Sequence, residues 1–166
     1  MAGQRRHRLR GAVMREVTQT RTGFPAGNCT EATIASLLGV DLESVPQLWS
    51  GDLDAKDYAE AQPPERMVAL LDWMEREHGV RWVEWRLHEP CGLPIAAVDL
   101  PRRDLLDMSR PHVLVGPNPD GVPHCVVGQG GDVRWDPNPA RRGIVAVTHI
   151  GALVPVAVAE AAGIHR

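Results

Sequence analysis

Apolar positions first fall into a helical period after residue 28. In "NCTEATIASLLG", Ile34, Leu37 and Leu38 form one stripe, and Gly39 stands where a helix stops. Asn28 sits at the cap, with Glu31 three residues on in capping-box position. A short helical turn is expected over Leu42 to Trp49, broken by Pro46, followed by the polar, acidic connector "SGDLDAKDYAEAQPP". Pro64 suits the first position of a second helix, in which Met67, Leu70, Leu71 and Met74 share a face and Gly79 ends the run.

Beyond Gly79 the period drops to two. "VRWVEWRL" places Val83, Trp85 and Leu87 on one side, and "PIAAVDL", "HVLVG", "HCVVG", "VRW" and "GIVAVTHIGALVPV" read as further short strands. Helices first and a mostly antiparallel sheet second describe an α+β domain. At 166 residues, the chain fits a single domain over 12–166 behind a basic, disordered arm over 1–11.

Charge sharpens this division. Arg5, Arg6, Arg8 and Arg10 fall in the first ten residues, so a net charge of −3 conceals an acidic body. Nucleic acid is therefore not an expected partner, except through the Arg-rich arm. No apolar run is long enough to span a membrane, and the basic N-terminus precedes no signal-type apolar segment. Three widely spaced cysteines, Cys29, Cys91 and Cys125, fit a reducing cytoplasm better than a disulfide framework. They lack CxxC or HxxxH spacing, so neither metal nor cofactor is expected.

Cys29 opens the first helix, where unpaired N–H groups and the positive end of the helix dipole favour a thiolate. A thiol nucleophile needs a base, and the base needs an acceptor that fixes its tautomer. The segment "PHCVVGQGGDVRWDPNP" offers both, with His124 opening one strand and Asp136 ending the next. His112 is the second choice for the base, and Cys125, next to His124, is expected in the core.

Together, "GNCTEATIASLLG" and "PHCVVGQGGDVRWDPNP" resemble the papain-like cysteine peptidase superfamily, and within it the bacteriocin-processing (double-glycine) peptidase type. The resemblance spans roughly residues 17 to 145. It implies a papain-like fold in which Cys29 is the nucleophile, His124 the general base and acid, and Asp136 the orienting carboxylate. Asn138 is the alternative orienter. Gln19 is the candidate oxyanion donor, ten positions before the cysteine across the excursion "TRTGFPAG".

The hairpin carries a geometric condition. A regular two-residue turn at Gly130–Gly131 sets position 124 opposite 137 and sends Asp136 to the other face; only an odd loop or a bulge in "GQGGD" brings Asp136 to the face of His124. The implied activity is cysteine-dependent hydrolysis of a peptide or protein substrate: peptidase, isopeptide hydrolase or deamidase. The alternative is a non-catalytic protein-interaction module on the same fold.

Overall fold

The computed structural model describes residues 14–23, 27–48, 64–95 and 100–165. The arm 1–11, nearly all of the acidic connector and positions 96–99 of "PIAAVDL" lie outside the described residues.

Helix α1 runs Cys29–Leu38, and Gly39 ends it in the left-handed conformation, at φ 68°. Its buried face is broader and more polar than the apolar stripe suggests. Every residue from Glu31 to Ser36 is buried, whereas Leu37 and Leu38 are only half-buried. The expected capping box does not form, because Asn28 makes no side-chain cap bond. Its amide is engaged on the chain before the helix instead. A 3-10 turn follows at Leu42–Ser44. Helix α2 covers Pro64–Trp73 and widens into a π turn over Met74–His78, closed by Gly79 at φ 66°.

Five strands follow: β1 (Val80–Cys91), β2 (His112–Pro117), β3 (Pro123–Gln129), β4 (Asp132–Trp135) and β5 (Val147–Pro155). They form one open sheet in the order β1-β5-β2-β3-β4, in which every pairing is antiparallel. The fold is thus α+β, as the pattern indicates. Three strand expectations need correction. β1 runs four residues past Leu87. The described part of "PIAAVDL" is not a strand; Ile95 instead donates its N–H to Gly131 O. "GIVAVTHIGALVPV" is a strand only over 147–155, after which Val156–Ala161 turns into a short helix, α3. Pro155 ends the ladder because it lacks an N–H, and its fixed φ suits the position before a helix.

The sheet separates two cores. One face carries Val83, Trp85, Leu114, Val126, Ile150 and Ala159 of α3; the other packs Ile34 and Ala35 of α1 with Leu70 and Met74 from the α2 region. β1 alternates buried and exposed residues over Val83–Leu87, with Val83, Trp85 and Leu87 in the first core, while Trp82, partly buried on the other face, packs against the second.

An extended strap, residues 14–19, ties α1 to the far edge of the sheet. Arg15 donates its N–H to Ser36 O, the Val17 N–H bonds Ser36 Oγ, and Trp135 Nε1 donates to Val17 O at 3.0 Å. Gln19 N–H then reaches Pro137 O at 2.9 Å. The strap delivers Gln19 to the end of β4, beside the start of α1.

Candidate active site

The hairpin β3–β4 makes the tight turn its two glycines allow, with φ 65° at Gly130 and 88° at Gly131. Gln129 pairs with Asp132 and Gly128 with Val133, a regular two-residue loop. The next pair, however, is Val127 with Trp135. Arg134 is therefore an extra residue on β4, and the bulge lies in "VRW" rather than in "GQGGD". Its effect is the one the geometry demands. One-to-one pairing would set Asp136 on the face of Cys125; the extra residue moves it to the face of His124.

His124 Nε2 and Asp136 Oδ1 meet at 2.7 Å, both side chains almost wholly buried. The carboxylate is held at three points, because Oδ1 also accepts Asn138 N–H at 2.8 Å and Oδ2 accepts Gly143 N–H at 2.7 Å. Burial by itself would raise the Asp136 pKa, but the His124 bond and the two backbone N–H bonds keep it below the ordinary carboxylate value. Burial would lower that of His124. Burial is the largest single effect, but hydrogen bonds and charge attraction from Asp136 and Cys29 together outweigh it and lift the ring from 6.5 to about 9. With Nε2 committed to Asp136, Nδ1 is the nitrogen left for the thiol.

Cys29 is half-exposed in the first turn of α1. The first backbone bond of the helix is Ala32 N–H to Asn28 O, so the Cys29 N–H precedes the intrahelical ladder and is directed out of the helix end. A cavity of about 660 Å³ is lined by Gln19, Cys29 and His124, among others. A smaller one of about 430 Å³ also reaches His124 and is lined by Asp136 and Gly143.

The excursion between Gln19 and Cys29 is closed at its neck. Asn28 Oδ1 accepts the N–H groups of Thr20 and Arg21, Asn28 N–H bonds Arg21 O, and Gly27 N–H bonds Gly23 O at 2.7 Å. Ten positions of sequence thus collapse to a short step in space. Gln19 is buried, and its Nε2 donates to Arg21 O at 2.8 Å; one Nε2 proton remains, and Oε1 has no partner among the described residues.

None of the remaining candidates joins its side chain to this centre, although Asn138 and Cys125 also line the cavity. Asn138 contributes its backbone N–H to Asp136, but its side-chain Oδ1 accepts Ala140 N–H, so it is not the residue that holds His124. His112 is buried at the opposite end of β2, its Nδ1 on Arg110 O, and does not line the cavity. Cys125 is buried under α1, where Thr33 Oγ1 bonds its carbonyl, and burial pushes its thiol pKa well up. Cys91 ends β1, away from both cavities.

Two features escape a reading of the sequence. Glu31, which looks like a capping residue, is a buried cavity acid whose Oε1 accepts Leu48 N–H at 2.9 Å. Burial raises its pKa against the pull of that bond and of Arg21. Gly116, opposite His124 in the ladder, has no room for a side chain because the Ala146 carbonyl lies where Cβ would stand. The chain matches no family model, no curated protein and no solved structure. The site therefore rests on its own geometry.

Proposed function

We propose that this chain is a cysteine-dependent hydrolase of papain-like fold that cleaves a peptide, isopeptide or side-chain amide. The observation that carries this reading is the line Cys29–His124–Asp136: a helix-start thiol against an imidazole whose far nitrogen is fixed by a buried carboxylate at 2.7 Å. A ring held near pKa 9 is an imidazolium at neutral pH, and it stands beside Cys29 as a ready proton donor.

In this mechanism the thiolate adds to the carbonyl carbon, and the oxyanion is met by the Cys29 N–H and the remaining Nε2 proton of Gln19. The tetrahedral adduct collapses as the imidazolium gives its proton to the leaving nitrogen. Amine departs and a thioester remains on Cys29. His124, now neutral, takes a proton from water, whose oxygen displaces the thiolate and releases the acid. An amine in place of water gives transamidation, and a side-chain amide as substrate gives deamidation.

Alkylation of the reduced chain with iodoacetamide at pH 7 tests the reading. Cys29 should react at least about tenfold faster than Cys91 and Cys125, and His124→Ala should remove that advantage. Equal, slow labelling of all three thiols refutes it. One observation favours the alternative, a non-catalytic interaction module. Gln19 Nε2 is already turned to Arg21 O, and a donor withdrawn from the oxyanion would cost a rate factor of about 10²–10³. A chain with a reactive Cys29 but no turnover on any amide substrate supports that alternative.

A further inference from the structure

The cavity beside Cys29 is lopsided in its chemistry. Among the described residues its lining holds no Arg or Lys, and the sole cationic group is the His124 ring itself. Three carboxylates face it: Glu31, Glu84 and Asp120. Asp120 is already paired with Arg142 at 2.6 Å. Glu31 lies 4.0 Å from Arg21, a loose contact for a side chain only 1% exposed. Glu84, exposed on β1, makes no ion pair among the described residues. Independently of these acids, the buried Gln19 Oε1 is an orphaned acceptor in the same lining. Buried polar atoms are rarely left unpaired in a folded protein, so this one awaits a donor.

The same lining is rich in apolar side chains. Ile34, Leu70 and Met74 belong to it, and Trp82 stands two residues before Glu84 on the same side of β1. An aliphatic stem lies well against such a lining, and a cationic head can sit over an indole face while a carboxylate closes on it. Beside the oxyanion donors, the lining thus offers, among the described residues, an unpaired acceptor in Gln19 Oε1 and an unpaired negative charge in Glu84.

We infer that this cavity takes a substrate residue with a cationic head on a long aliphatic stem, arginine or lysine, next to an apolar residue. Glu84 and Trp82 receive the head, and Gln19 Oε1 accepts an N–H of the substrate. The inference rests on the hydrolase reading for what the cavity serves, but recognition can be measured without turnover.

Two measurements keep the questions apart. Binding of N-acetyl-leucyl-arginine amide and its neutral citrulline counterpart is measured by calorimetry on the full chain carrying Cys29→Ala. The arginine peptide should bind at least about tenfold more tightly. Glu84→Gln, at an exposed position that leaves the core untouched, should remove most of that preference. Equal affinity, no detectable binding of either peptide, or a preference indifferent to Glu84→Gln overturns the inference. Iodoacetamide selectivity for Cys29 in the wild-type chain is read separately. If it holds while the peptides bind alike, the hydrolase reading stands and the specificity falls. If it fails while the arginine peptide binds, the site recognises cations without thiol chemistry.

Discussion

Replacing Asp136 by Asn tests the electrostatics of the site with little change of shape. His124 moves from 6.5 to about 9 in the folded chain, a preference of about 3 kcal/mol for the imidazolium, trimmed by solvent at the cavity mouth. Burial works against the charged ring, so the whole of this preference comes from Asp136 and Cys29. Asparagine preserves an acceptor for Nε2–H but removes the charge, and its amide faces Gly143 N–H with a donor if Oδ1 stays on His124. The ring's pKa should fall by roughly 1–3 pH units. The assay is a pH titration of the ring nitrogens by NMR on the reduced, full-length chain, with His124→Gln assigning the signal. A wild-type ring that titrates at or below 6.5, or one that Asp136→Asn leaves unmoved, refutes the argument.

Three further outcomes follow from the same geometry. A His raised above its unfolded value contributes stability that is full below about 6.5 and lost as pH rises through about 9. The depressed Asp136 contributes above the ordinary carboxylate value and is lost as pH falls through its own. Thermal melts should therefore show the His124→Gln penalty greatest near pH 5–6 and shrinking by pH 9.5; a penalty that grows with pH contradicts this. Gly116→Ala drives a methyl group into the Ala146 carbonyl and should destabilise the chain by about 3 kcal/mol or more in urea unfolding. A loss below about 0.5 kcal/mol would show that the strands move apart freely. Deleting Arg134 removes the extra residue of the bulge, so Trp135 then follows Val133 opposite Val127, and Asp136 stays on the face of His124 by regular pairing. In chains whose far-ultraviolet dichroism is preserved, iodoacetamide selectivity for Cys29 should be kept, and its loss contradicts the register argument.

The two-stage pattern of the sequence, helical period and then alternation, conveys the fold class because each period reports a buried face directly. Cys29, His124 and Asp136 are worth joining on other grounds, namely the base and acceptor that a helix-start thiol nucleophile requires. What the pattern does not carry is long-range accommodation. Asn28 and Glu31 have the spacing of a capping box, yet tertiary partners claim both: the strand-like chain at Thr20–Arg21 takes the amide, and Leu48 N–H takes the carboxylate. Nothing local distinguishes an N3 glutamate that turns back to its own helix from one that enters a cavity. The bulge at Arg134 was legible only as a condition, since an exposed arginine is unremarkable in a strand. The strand read over 143–156 overshoots at Val156, because an apolar β-branched residue follows Pro155, and α3 beyond it has no counterpart in the pattern; the proline, not the period, changes the backbone there.

The closed neck between Arg21 and Asn28 also separates chain length from function. Asn28 ties Thr20 and Arg21, next to Gln19, to the start of α1, so the number of residues between them does not set the spacing of the two side chains. The loop can grow or shrink without disturbing what it connects, since each doubling of its length costs only about 0.6 kcal/mol of closure entropy. A search that fixes the number of residues between the glutamine and the cysteine will pass over chains built this way. The neck is also a natural insertion point, where a foreign segment could be carried beside the cavity while its two walls keep their places.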